Sequence, residues 1–319
     1  MSHFDVFNGD ADGICALHQL RLSHPHGAVL VSGVKRDIAL LERVDAAAGD
    51  RVTVLDVSLD RNRAALLQLL ARGVHVEYFD HHFPGEIPRH PALTAHIDPA
   101  PTVCTSTLVD RHLHGRHRLW AIVAAFGDNL GATAWALAAT CRLAEPDAVR
   151  LRGLGQGINY NGYGDTEADL LLPPVDLYRA IAPYASPFDF IDREPTAGLL
   201  VAARGRDMAL AHGTAPVHQG RAGTVHVLPD AAWARRVQGE FANELAQLAP
   251  GRAHAVLCEV AGGFRASVRA PIARPGGADT LCRGFPSGGG RAAAAGIDRL
   301  PREHLPGFVL AFEQAFGSG

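Results

Sequence analysis

Four short stretches hold the residues with chemistry to offer. "NGDADG" carries Asp10 and Asp12, "VLD" ends in Asp56, "FDHH" carries Asp80, His81 and His82, and "FGD" ends in Asp128. Carboxylate oxygens suit hard divalent cations, and imidazole nitrogens suit first-row metals such as Mn²⁺. Five aspartates and two histidines brought to one place would bind one or two such ions. Two ions roughly 3.5–4 Å apart form a known arrangement for phosphoryl chemistry, in which they clamp a phosphate and activate a water. A carboxylate lying between them would be the natural bridge.

The elements that must position these groups can be read from periodicity. "HFDVF" (3–7), "AVLVS" (28–32), "RVTVLD" (51–56) and "VHVEYF" (74–79) read as strands. A helical pattern with Ile14, Leu17 and Leu20 follows the first strand, "DIALLERVDAA" (37–47) the second, and "NRAALLQLLARG" the third. Strands alternating with helices predict an α/β fold with a mostly parallel sheet and flanking helices. Ligands of such sheets bind outside the carboxyl ends of the strands. Asp10 and Asp12 follow the first strand, Asp56 closes the third, and Asp80 to His82 follow the fourth. The three groups are therefore expected at one sheet edge. "LWAIVAAFGDN" reads as a helix that delivers Asp128.

Further along, "GLGQGINYNGYGD" reads as a loop beside the site, with Asn159, Tyr160, Asn161 and Tyr163 as groups that could meet a base. Its glycines do not open the first helix of a βαβ unit, which argues against a dinucleotide site. "RHLHGRHRL" reads as a solvated helix end and turn, because no carboxylate accompanies its histidines. The expected organisation is a domain over 1–195, a connecting helix and linker over 196–215, and a smaller α/β domain over 216–319. The last holds the glycine-rich loop "SGGGRAAAAG" and closes on a helix near Gly307–Phe316.

The length of 319 residues suits about two domains. A hydrophobic content of 47% and a charged content of 20% are ordinary for a globular chain. The formal net charge of -3 gives no global basic field for long duplex DNA. The five cysteines are scattered and form no CxxC, which argues against both a zinc ribbon and a disulfide framework. No secretory leader pattern and no membrane-length apolar run are visible, so a cytoplasmic protein with no membrane partner is expected.

Each stretch alone has an ordinary explanation: an Asx turn for "NGDADG", a helix cap for Asp56, polar surface for "DHH". Their joint order resembles the DHH phosphoesterase superfamily, with "NGDADG", "VLD", "DHH" and "FGD" in sequence. "SGGGRAAAAG" is similar to the glycine loop of the accessory DHHA1 domain. The resemblance implies a metal-dependent phosphodiesterase of the kind that includes RecJ-type exonucleases, nanoRNases and cyclic-dinucleotide phosphodiesterases. It implies two Mn²⁺ ions, with Mg²⁺ as the other option. Asp10 and Asp12 would each bind one ion, Asp56 would bridge them, and His81 and Asp128 would complete the ligands. His82 would contact substrate phosphate and Asp80 would orient an imidazole, so Asp56, His82 and Asp80 are the expected catalytic residues.

Two departures stand out. Asn8 occupies a place where many members carry His or an acidic residue. Arg291 occupies the place of a His after Gly288, Gly289 and Gly290. Successive glycines let backbone N–H groups approach an anion, and Arg adds a charged fork suited to phosphate. Arg269, in "SVRAP", is a second phosphate candidate. The expected substrate is a short oligonucleotide or a linear or cyclic dinucleotide, and a homodimer is an open assembly. Pyrophosphate or polyphosphate hydrolysis ranks lower, because the chain has very little Lys. A nucleotide-binding regulator with an impaired metal site is the reading from another class.

Overall fold

The computed structural model describes residues 1–317; the last two residues of the expected 216–319 domain lie outside that range. The chain divides into two compact units, Met1–Ala203 and Arg204–Gly319.

In the first unit, strands β1 (His3–Phe7), β2 (Val29–Val31), β3 (Arg51–Leu55), β4 (His75–Asp80) and β5 (Leu93–Ile97) form a parallel sheet in the order β2-β1-β3-β4-β5. Successive side chains of a strand face opposite sides. Val6, Val54 and Tyr78 accordingly pack with Leu66, Leu69 and Leu70 of α2 (Leu59–Ala71). Their neighbours Phe7, Leu55 and Phe79 join the larger core on the other face. That core is built on α1 (Ala11–Ser23), α3 (Thr105–His112), α4 (Arg118–Gly127), α5 (Gly131–Thr140) and α6 (Glu145–Gly162). The short helices α7 (Pro174–Ile181) and α8 (Pro187–Arg193) close it, and α9 (Pro195–His212) runs across the boundary between the units. Trp120, fully buried here, donates its indole N–H to the Ala185 carbonyl at 3.0 Å, so its apolar bulk is enclosed with no orphaned donor.

The second unit is a six-stranded mixed sheet with helices α10 (Ala232–Leu248), α11 (Ala278–Arg283) and α12 (Leu305–Phe316). Its strands are β6 (His218–Gln219), β7 (Gly223–Leu228), β8 (Ala253–Val260), β9 (Gly263–Arg269), β10 (Gly288–Gly290) and β11 (Ala294–Pro301), in the order β10-β11-β9-β8-β7-β6. Among the described residues of this unit, only β7 and β8 pair in parallel. Phe308, Phe312 and Phe316, at four-residue spacing on α12, form the apolar stripe packed in its core.

The sequence predicts a mostly parallel α/β sheet with a second α/β domain, and the structure has that architecture. Four local expectations are corrected. Residues 37–47 are irregular apart from one 3-10 turn at Leu40–Arg43, and form no α-helix. Asn62 supplies the reason: it accepts the Leu41 N–H at 3.2 Å and donates to the Ile38 carbonyl at 2.6 Å, taking backbone groups that a helix would pair internally. The glycine-rich stretch ending at Gly162 is the second half of helix α6 and not a loop. Gly155 lets α6 meet α4 closely, since a Cβ there would lie 2.1 Å from the Val123 carbonyl. Strand β5 was not expected, and "SGGGRAAAAG" is a β-hairpin and not an open loop.

Candidate metal centre at the carboxyl edge of the sheet

The chain leaves β1 through Asn8, whose N–H donates to the Leu55 carbonyl at 3.1 Å. Asp10 then caps α1, its Oδ1 accepting the N–H groups of Asp12 at 2.9 Å and Gly13 at 3.1 Å. Asp12, fully buried, points at the start of α3. Its two oxygens accept the backbone N–H groups of Thr105 and Ser106, both at 2.7 Å. These charge-assisted bonds, with the positive end of the helix dipole, offset the cost of burying the carboxylate.

Asp56 directly follows β3 and has a left-handed backbone, with φ at +58°. Its N–H still reaches the Phe79 carbonyl at 3.0 Å. Asp tolerates this region better than most residues, yet the conformation costs of order 1 kcal/mol. The left-handed residue ends the strand's alternation at Leu55. Oδ1 then lies 3.4 Å from His81 Nε2 and 3.3 Å from Thr105 Oγ1.

His81 Nδ1 donates to the Val103 carbonyl at 2.9 Å, which leaves Nε2 as the lone-pair nitrogen of the neutral ring. That nitrogen is 3.4 Å from Asp56, 3.9 Å from Asp12 and 4.0 Å from Asp128. His82 Nδ1 and its backbone N–H both meet Asp80 Oδ1, at 2.7 and 3.1 Å. Asp80 Oδ2 accepts the Leu59 N–H at 3.3 Å, anchoring the whole group to the start of α2. Asp128 follows the last turn of α4, at the negative end of that helix, where a cation is welcome.

Burial raises the Asp56 carboxyl well above the ordinary range, and Asp12, Asp10, Asp128 and Asp80 push it the same way. Burial likewise raises Asp128, against the pull of Lys35. For Asp10 burial is outweighed by the Lys35 charge and its hydrogen bonds, and the carboxyl is held low. Carboxylates that repel one another at this spacing call for a cation. The donor sets fit one: ligand atoms of Asp56, His81 and His82 lie within 4.8 Å of one another, as do those of Asp12, His81 and Asp128.

Sequence reasoning missed several members of this site. Lys35 places Nζ 2.7 Å from Asp10 Oδ2, 3.3 Å from Asp128 Oδ1 and 3.0 Å from Asn159 Oδ1, over the Tyr163 ring. Its isolation in a chain whose other basic residues are arginines was a visible signal. Thr105 and Ser106 contribute backbone donors, which no side-chain motif announces. Of the residues that could meet a base, Tyr160 and Asn161 are fully buried, and the Asn161 amide is bonded to the backbone of Leu171 and Leu172. Asn159 and Tyr163 serve Lys35 instead.

In the second unit, Gly288, Gly289 and Gly290 form the edge strand β10, paired with Ile297, Gly296 and Ala295. Packing demands two of these glycines: a Cβ on Gly288 would lie 1.7 Å from the Cys282 carbonyl, and one on Gly290, at φ +138°, 2.5 Å from Ala295 Cα. The Arg291 N–H closes the hairpin onto the Ala294 carbonyl at 2.9 Å, while the residue as a whole is exposed. Arg269 donates to Asn243, to Ser267 Oγ at 3.0 Å and to the Gly239 carbonyl at 3.4 Å, so much of its guanidinium is engaged within the unit.

No protein-family model and no curated protein matches the chain. Solved structures do match in fold. An exonuclease RecJ bound to manganese superposes with a TM-score of 0.62 at 18% identity, covering 100% of this chain and 90% of that one. A pGpG-specific phosphodiesterase, PggH from Vibrio, gives 0.57 at 15% identity, with 100% of both chains covered. An exopolyphosphatase-related protein from Bacteroides fragilis gives 0.51 at 16% identity, over 98% of this chain and 91% of that one. The chain shares the fold of all three.

Proposed function

We propose that a chain with this DHH-type fold is a metal-dependent phosphoesterase acting on short nucleotides, with linear or cyclic dinucleotides as the central substrate class. One observation carries the reading: Asp12, Asp56, His81 and Asp128 come from four separate places in the sequence and meet at the carboxyl edge of one parallel sheet. The likeness to manganese-bound RecJ supports Mn²⁺, with Mg²⁺ as the alternative, and the likeness to a pGpG phosphodiesterase supports the substrate class.

A divalent cation held at this edge would supply Lewis acidity, lowering the pKa of water and offsetting phosphate charge. Asp12, Asp56, His81 and Asp128 would hold it. The remaining work belongs to the chain. Val103 fixes the His81 ring so that Nε2 faces the carboxylates. Asp80 fixes His82 through Nδ1, which leaves Nε2 for a substrate oxygen. The α3 N-terminus holds Asp12 in one orientation. Arg291, exposed on its hairpin in the second unit, carries a guanidinium suited to a phosphate group.

The test is a product-resolved screen of di- to pentanucleotides, cyclic dinucleotides and pyrophosphate with Mn²⁺ present. Release of nucleoside monophosphates or linear dinucleotides is expected. Turnover of pyrophosphate alone would replace this reading with a polyphosphate hydrolase, and nucleotide binding without hydrolysis would replace it with a regulator.

A further inference from the structure

The carboxylate cluster already contains a cation of its own. Lys35 is the single lysine among the chain's 30 basic residues. Its ammonium has three protons to donate. Three oxygens take them: Asp10 Oδ2 at 2.7 Å, Asn159 Oδ1 at 3.0 Å and Asp128 Oδ1 at 3.3 Å. The other Asp10 oxygen accepts two backbone N–H groups. Asp10, fully buried, is thus bonded at both oxygens to groups of the chain. The two sets of converging ligand atoms both contain His81, and neither contains Asp10.

Asn8 points the same way. It is buried and neutral, and its Nδ2 donates to the Lys35 carbonyl at 3.2 Å, holding the backbone that carries the ammonium. A second dication near Asp10 would face the ammonium with no further carboxylate from position 8 to offset it. Lysine suits the place better than arginine, being a compact point charge.

Resting on the metal-dependent reading above, we infer that the site takes one divalent cation and that the Lys35 ammonium is the fixed second positive centre. In two-ion sites the ions divide the attacking and leaving oxygens between them. Here Lys35, a quarter exposed, would act on a substrate phosphate oxygen on the Asp10 side through its charge, its three protons staying with the chain. The single cation would be held on the Asp12, Asp56 and His81 side.

Mn²⁺ stoichiometry tests this without recourse to turnover. Equilibrium dialysis of the full chain should give one Mn²⁺ per chain, with the paramagnetic resonance spectrum of an isolated ion. Lys35→Ala should admit a second ion and show a spin-coupled pair. The unique lysine also allows a measurement on the unsubstituted protein: [15N]lysine labelling gives one side-chain resonance, which should stay protected when Mg²⁺ is added. Two coupled Mn²⁺ in the wild type, loss of that protection with Mg²⁺, or one ion in a folded Lys35→Ala would each overturn the inference and leave the proposed function standing. No bound ion in any form would overturn both.

Discussion

Thr105 donates its backbone N–H to Asp12 Oδ2 at 2.7 Å, across 93 residues of sequence. Thr105 is also the first residue of α3, and the preceding Cys104 is extended, at φ -124° and ψ 164°. Proline fits the first position of a helix, and it favours an extended residue before it. Thr105→Pro should therefore fold with α3 intact while deleting one donor to Asp12. Losing a hydrogen bond to a charged group costs about 1.5–3 kcal/mol. Mn²⁺ affinity, measured by calorimetric titration, is expected to fall roughly 10- to 150-fold by that figure. Thr105→Val keeps the N–H and should lose far less.

Asp80 acts through His82. Asp80→Asn weakens the bond to Nδ1 and frees the ring to turn. Changes to a ligand's supporting partner typically cost 10- to 100-fold. We expect kcat on a dinucleotide to fall by about that factor, while bound Mn²⁺ per chain stays the same. Assays of both quantities on one preparation check this.

His18 sets an acid limit on the first unit. Burial pushes its imidazole from 6.5 down to about 4, against a ring-nitrogen bond to the Tyr184 carbonyl at 2.8 Å. Below pH 6.5 the unfolded chain takes up a proton that the folded one refuses, so stability falls as pH falls. Near pH 5 the loss amounts to about 2 kcal/mol. Urea midpoints at pH 7.5 and pH 5 should differ accordingly, and His18→Gln should narrow the gap.

Arg291→Ala should raise KM for a dinucleotide roughly 10- to 150-fold, the range expected for one lost charge-assisted contact. Bis-p-nitrophenyl phosphate, which has a single phosphate, should be turned over as before. Equal losses on both substrates would assign Arg291 to the stability of its hairpin.

The site was legible where side chains end strands. Asp56, Asp80 and His81 each follow a run whose alternation sets both the strand and its direction, and parallel strands must bring such ends together. Lys35 was missed because it sits in the irregular segment after β2, where no periodicity fixes its direction. Helix α6 was misread because its glycines, taken as loop formers, serve close packing against α4. Strand β5 was missed because "LTAHI" is a half-exposed edge strand whose partner lies across a proline-rich stretch. The glycines of 288–290 carry a packing requirement as well as an anion-binding signature, and sequence alone does not separate the two.

Asp56 carries the central claim. Asn accepts a left-handed backbone as Asp does, so Asp56→Asn should fold. The raised Asp56 carboxyl means that the ion-free protein loses stability as pH climbs through that folded value, so the variant without metal should melt higher than the wild type at pH 8. The deciding measurement is kcat/KM for pGpG with Mn²⁺ and after chelation, in wild type and Asp56→Asn. The account predicts hydrolysis that chelation abolishes, that Mn²⁺ restores, and that the variant lacks by more than ~100-fold. Turnover that survives chelation, or a folded Asp56→Asn with wild-type kcat/KM, would contradict it.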